Sequence, residues 1–437
     1  MTADPVAALE EAVAHSPLDP ALYRALAAAW RGKGEAAEAM AAELAADALA
    51  ARAPLALYNV ATACFQAGQA RQAKRWYELA LRLDPDLVGA HRNLAAILEN
   101  EGRLAEARAH CDAAYGRQSV FVEPAPEEKL RVLVLAAAGL GNVPIEALFP
   151  ASTATRITWF IDYAKEGEGE RLPPYDLVFN AAGDPDRVGP LLPEVDHFLA
   201  RQSAPLLNPP ESVARTARHR LPELLSGLAD VAVPPVIRLS RAELADGRAA
   251  ARLGFPLILR PEGAHGGKGV QLLAGPAELA AAELGEAEAF YLTAYRECRS
   301  PDGYYRKYRV IFVDRTPYPY HLAISQHWLV HYFSADMQHP SWKRAEEERF
   351  LADPAHALRR RAWAALAEIG RRLDLDFCGI DFALDAAGNI VVFEANATMA
   401  VHLRDSPELF AYKHVHVPKI FAAFGAMLKR SLEAQAR

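Results

Sequence analysis

Two stretches of this sequence carry residue types suited to phosphate and metal chemistry. The later is "DFCGIDFALDAAGNIVVFEANA", Asp376 to Ala397. Its "AAGN" reads as a turn between two strands, so the segment forms a hairpin. Glu394 and Asn396 stand two apart on the second strand and share a face, while Val391, Phe393 and Ala395 point the other way. Asp381, flanked by Ile380 and Phe382, is directed opposite to its apolar neighbours and reaches the same space. Hard oxygen donors in that number suit Mg2+, which keeps several waters and completes its shell with substrate phosphates, so ATP with magnesium is implied.

The earlier stretch is "LILRPEGAHGGKGV", Leu257 to Val270. A Walker loop requires GxxxxGK followed by Ser or Thr, and here Lys268 is followed by Gly269. What remains is an apolar strand, a bend rich in glycine that includes Gly266 and Gly267, and a second strand. Glycines allow backbone N–H groups to approach phosphate oxygens with no Cβ in the way, and Arg260 and Lys268 supply cations on either side of a polyphosphate. Alone, such a hairpin is equally a plain loop. Its partnership with the later carboxylates gives it meaning.

Arg260, the loop with Lys268, Arg309 in "RKYRVIFVD", Asp381, and "FEANA" with Glu394 and Asn396 together resemble the ATP-grasp superfamily, most nearly its glutathione synthetase and ribosomal-protein glutamate ligase branch. The resemblance runs over roughly residues 127 to 420. It implies that Asp381 and Glu394 hold one magnesium ion and that Glu394 and Asn396 hold a second. Arg260 then stands for a phosphate-binding lysine, Lys268 lies on the closing loop, and Arg309 steadies the transferred phosphoryl group. "FYLTAYRE" becomes the hinge strand, near 293–297, with backbone at Ala294, Tyr295 and Arg296 reading adenine and Glu297 the ribose. Two positions depart from the branch: Lys307 stands where an acidic residue is common, and His331 near where an asparagine or similar polar residue is. Lys307, His321 and His331 are the substrate-pocket candidates. Each histidine either binds a substrate carboxylate or moves a proton, or is an ordinary hydrogen-bonded residue.

The implied activity is an ATP-dependent ligase that joins a carboxylate to an amine through an acyl phosphate, releasing ADP and phosphate. A catalytically inactive adaptor with a nucleotide-binding fold and a kinase that stops at phosphorylation are the alternatives. An inactive adaptor is disfavoured, because all three metal-site positions keep acidic or amide side chains.

The elements around these residues fall into parts. Gly34, Gly68 and Gly102 recur every 34 residues, as do the alanine sets 27/61/95, 39/73/107 and 46/80/114. Small residues at fixed points let paired helices approach, and the glycine fits a tight turn between them. "LYNVATACFQAGQARQAKRWYELALRLDP" resembles the tetratricopeptide repeat, so an all-α TPR solenoid is expected over 1–120. Its groove, with Arg24, Tyr58, Phe65 and Arg92, either takes a peptide or protein partner or packs within the protein. "GRQSVFVEPAPEEK" reads as a linker. "LRVLVLAA", "TRITWFID" and "YDLVFNAAGD" read as strands of a parallel sheet, with a helix after "GLGNVPIEALF", giving an α/β pre-ATP-grasp domain at 127–215 and an α+β ATP-grasp domain at 216–437. "GLGN" is no dinucleotide fingerprint, since Pro144 stands where the third glycine belongs. Asn208 and Asp184 fall at strand ends, where both ligand sites and ordinary turns occur.

Composition bounds the rest. A chain of 437 residues with 51% hydrophobic and 24% charged residues is globular, and no apolar run has the ~18 residues of a membrane span. The opening residues lack a basic-then-apolar secretion signal, so a cytoplasmic location is expected. Four scattered cysteines argue for reduced thiols, and a net charge of -7 offers no case for nucleic acid.

Overall fold

In a computed structural model, which describes residues 4–435 except Ala67, Leu140, Ala151, His265, Gly266 and Lys268, the chain divides into two compact units. The first comprises Met1–Ser119 with Ala138–Leu140, and the second Val120–Ala137 with Gly141–Arg437.

The first unit holds seven helices among the described residues: α1 (Pro5–His15), α2 (Pro20–Gly32), α3 (Ala36–Ala50), α4 (Pro54–Gln66), α5 (Ala70–Leu83), α6 (Val88–Glu101) and α7 (Leu104–Tyr115). They pack as consecutive hairpins, α2 on α3, α4 on α5 and α6 on α7. The 34-residue period has a geometric meaning: Gly34, Gly68 and Gly102 take φ of 81°, 78° and 81° at the three turns. All nine recurring alanines are buried, because a larger side chain there would hold the helices apart. Tyr58 lies against α6, where a Cβ at Gly89 would stand 2.9 Å from its ring.

The second unit contains three sheets. The first has the order β1-β3-β2-β4-β5, built from β1 (Val120–Glu123), β2 (Arg131–Ala136), β3 (Thr155–Phe160), β4 (Leu177–Asn180) and β5 (Leu206–Leu207). β2 to β5 run parallel, and their apolar runs are covered on both faces. Two expectations are corrected here. The expected linker supplies β1, because Val120, Phe121 and Val122 favour a strand, and it pairs antiparallel with β3 at the sheet edge. The expected helix after "GLGN" is a turn, Pro144 and Pro150 bounding a stretch too short for one.

The other sheets form the α+β part. One has the order β7-β10-β8-β9, with β7 (Val236–Ser240), β8 (Leu257–Pro261), β9 (Gln271–Leu273) and β10 (Ala289–Ala294), all antiparallel. The last has the order β12-β11-β13-β14-β6, with β6 (Val231–Ala232), β11 (Tyr305–Val313), β12 (Thr316–Ser325), β13 (Phe377–Leu384) and β14 (Ile390–Asn396). It shares a core with the parallel sheet, in which Phe149, Phe179, Phe377 and Phe424 interlock at ring-centroid distances of 5.2 to 6.2 Å. Asn208 also joins these two sheets: its side chain donates to the Phe377 carbonyl at 2.9 Å and accepts from the Phe377 N–H at 2.8 Å. The Asn208 side chain is therefore a fully buried staple, and its φ of 55° suits asparagine. Asp184 caps the short helix Pro185–Val188 by accepting from Asp186 N–H. Among the described residues no helix is long and apolar enough to cross a membrane.

Candidate active site

Strand alternation puts polar side chains on the floor of a cavity. In β8, Leu257 and Leu259 are fully buried in the core, which turns Ile258 and Arg260 to the other face, and both line the cavity. In β11, Tyr308 and Val310 are buried while Lys307 and Arg309 line the cavity. In β13 and β14, Asp381 and Glu394 stand directly opposite each other.

The register aligns four polar residues in one row across the sheet. His321 of β12 faces Arg309 of β11, Arg309 faces Asp381 of β13, and Asp381 faces Glu394 of β14. Directly opposed residues share a face, so the row sits on one surface. Arg309 grips Asp381 with two parallel hydrogen bonds, Nε to Oδ1 at 2.6 Å and Nη2 to Oδ2 at 2.8 Å. Lys307 Nζ adds a third contact at 3.0 Å from Oδ2. Glu394 Oε2 pairs with Arg218 and lies 4.0 Å from Arg260 Nη1. Four cations therefore surround two carboxylates, a surplus suited to a polyanion.

The electrostatics follow. Burial alone would raise the carboxyl of Asp381, but Arg309 and Lys307 outweigh it and hold it well below the usual range. The same contest at Glu394, decided chiefly by Arg218, brings it to about 2. Burial and the neighbouring Arg218 pull the Arg260 guanidinium down to about 10, so it remains charged at neutral pH. Burial, then Lys307 and Arg309, lower His331 below its ordinary value and keep it neutral.

Part of the cavity lining is apolar. Val233, Pro234, Val236, Ile258, Ala383 and Val392 line it, with Ala294, Tyr295 and Arg296 of the expected hinge at its edge. Two hinge N–H groups are already engaged: Ala294 donates to the Pro235 carbonyl at 2.9 Å and Tyr295 to the Pro256 carbonyl at 3.0 Å. An adenine edge read by this backbone would have to meet its remaining groups.

The other expected residues divide. Gly267, with φ of 80°, lines the cavity. Gly266 and Lys268 lie outside the described residues. His331 lines the cavity, whereas His321 does not: it is buried, stacked on Tyr332 at 4.7 Å, with its Nε2 unpartnered among the described residues and its titration pushed well down by burial and by Arg309. Glu297 is exposed, accepts from Arg299 N–H at 2.8 Å and does not line the cavity, although Arg296 and Cys298 on either side of it do. Asn396 also stays off the lining, because its Oδ1 accepts from Thr398 N–H and Oγ1, both at 2.6 Å. Sequence reasoning missed Arg218. It sits on a loop, where no periodicity marks which of several arginines turns inward.

The donor set bears on magnesium directly. Among the described residues no three His, Cys, Asp or Glu side chains cluster as a metal site. Glu394 lines the cavity, and both arginines approach its Oε2. One carboxylate with phosphate oxygens and water is enough for one magnesium ion, so the residues fit a single ion bound together with a phosphate ligand.

No family model matches the sequence, and no curated protein matches it. Solved structures do show similarity. D-alanine–D-alanine ligase from Bacillus anthracis complexed with ATP is 15% identical over 70% of this chain and 98% of that one, with a TM-score of 0.44. A RimK domain protein described as ATP-grasp, from Sphaerobacter thermophilus, is 18% identical over 67% and 98%, with a TM-score of 0.41. D-cycloserine synthetase DcsG is 16% identical over 66% and 99%, with a TM-score of 0.38. These likenesses are distant, and the chemistry rests on the side chains of this chain.

Proposed function

We propose that the chain is an ATP-grasp enzyme, an ATP-dependent ligase that activates a carboxylate as an acyl phosphate and passes the acyl group to an amine. The observation that carries this reading is the in-register row of Arg309, Asp381 and Glu394, ringed by Lys307, Arg218 and Arg260, in a cavity that apolar side chains also line. An apolar slot suits a purine base, and concentrated positive charge suits a triphosphate.

A carboxylate resists attack by an amine because it is anionic and has a poor leaving group. Transfer of the γ-phosphoryl group removes both obstacles. Arg218 and Arg260 would hold the phosphates beside Glu394, and Arg309 and Lys307 would meet the negative charge that the loose transition state spreads over the transferring group. A magnesium ion on Glu394 would supply further Lewis-acid neutralisation. No side-chain nucleophile is required. The acyl phosphate must be shielded from water, and the segment between β8 and β9 that carries Gly267 has the role of a lid in this reading. His331, neutral and at the cavity wall, is placed in this reading to take the proton from an incoming ammonium group.

The three similar hairpins of the first unit form a tetratricopeptide-type array that recruits a peptide or protein in this reading. A cytoplasmic setting, with ATP and reduced thiols, belongs to the same proposal. The test is trapping: full-length chain, ATP and magnesium with hydroxylamine, screened against acids and peptides. Hydroxamate and ADP forming together with a particular acid, and both disappearing in Arg309→Ala, support the ligase. A phosphorylated product resistant to hydroxylamine indicates a kinase, and ATP binding with no turnover of any acid indicates an adaptor.

A further inference from the structure

The resemblance to ATP-grasp ligases calls for two metal ions, with Asp381 a ligand of the first and Asn396 of the second. The described side chains do not present that set. Both oxygens of Asp381 are engaged, Oδ1 by Arg309 and Oδ2 by Arg309 and Lys307 together. The Oδ1 of Asn396 is held by two donors of Thr398. Glu394 is left as the carboxylate with an oxygen to offer.

Lys307 is built into this arrangement. It stands two residues before Arg309 on β11, hence on the same face, and opposite Ala323. Its Nζ lines the cavity 3.0 Å from the carboxylate oxygen that a metal ion would occupy. A magnesium ion bonds such an oxygen at about 2.1 Å, so the ion and the ammonium group would compete for one oxygen at close, repulsive range. The residue type decides the outcome: an acidic side chain at this position would add a metal ligand, whereas lysine adds a fixed positive charge.

We infer that Lys307 takes the place of the metal ion that Asp381 would otherwise hold, so that the chain binds nucleotide with one divalent ion and the Lys307 ammonium group, aimed by Asp381, meets the γ-phosphoryl group in transit. This rests on the ligase reading above. In the step, the substrate carboxylate oxygen bonds to the γ phosphorus while the bond from that phosphorus to the β,γ-bridging oxygen breaks, and the bridging oxygen leaves on ADP with its electron pair. Lys307 neutralises charge and gives up no proton.

The experiment counts metal ions. Manganese is titrated into the full-length chain saturated with a non-hydrolysable ATP analogue, and bound ions are read from the loss of the free-manganese electron paramagnetic resonance signal. One ion per chain is expected for the unaltered protein and two for Lys307→Asp, which restores a carboxylate. Two ions in the unaltered protein overturn the inference and leave the ligase reading standing. No binding of the analogue removes both. With an acid substrate in hand, Lys307→Met is expected to lower kcat by about a hundredfold with nucleotide affinity within a few fold. A Met variant that folds and keeps its kcat also overturns the inference.

Discussion

Asp381 and Arg309 form the pair on which the site turns. Asp381 is 3% exposed, and removing one partner of a buried ion pair costs about 3–5 kcal/mol because the other charge is stranded. Lys307 remains on Asp381 when Arg309 is lost, so Arg309→Ala is expected near the low end of that range, measured by urea unfolding. Arg309→Lys does not restore the fork that bonds both oxygens, and it should recover stability better than activity. Glu394 makes a pH prediction. Its carboxyl is depressed from 4.5 to about 2, so the stability it contributes is fully present above pH 4.5 and is lost as pH falls toward 2. Unfolding free energy followed between pH 5 and 2.5 should fall less steeply in Glu394→Gln than in the unaltered chain. An unchanged slope would mean that Arg218 and Arg260 do not favour the carboxylate in the folded state.

Strands and turns show what the sequence could disclose. Alternation in the β13–β14 hairpin was legible, and with it the common orientation of Asp381 and Glu394, whereas Arg260 and Arg309 were reached through the family resemblance. The cross-strand register was not legible, and so neither was the grip of Arg309 and Lys307 on Asp381, which pairing across strands creates. Asn396 was read correctly onto a face, yet a local turn with Thr398 takes up its oxygen, a competition invisible to strand period. The apolar pattern of "HALRRRAWAALAEIGRRL" does not disclose that the segment is two helices, Pro354–Ala357 and Arg360–Leu373, divided where Arg359 takes a φ of 67°. The 34-residue period translated directly into turns: Gly34 and Gly68 have open space where a Cβ would stand, so Gly34→Ala or Gly68→Ala meets only the backbone penalty of a left-handed turn, about 1–2 kcal/mol. Gly32→Ala, on α2 with equal space and no positive φ, is the control and should not destabilise. Asn208→Ala should cost about 3 kcal/mol by leaving the buried N–H and carbonyl of Phe377 unpaired, and chemical denaturation reads both effects.

For the whole chain, composition limited the class and little more. A net charge of -7 gave no hint that Arg218, Arg260, Lys307 and Arg309 gather in one cavity, since that concentration arises from folding residues nearly a hundred positions apart onto one floor. Such a site should bind polyanions in a salt-dependent way, weakening as ionic strength screens its charge. The most direct measurement is calorimetric titration of the full-length chain with AMP, ADP and ATP in magnesium. Affinity is expected to rise with each phosphate, and Arg260→Ala should weaken ATP at least tenfold while leaving AMP nearly unchanged. AMP binding as tightly as ATP, or no nucleotide binding at all, would contradict a triphosphate clamp at this row of side chains.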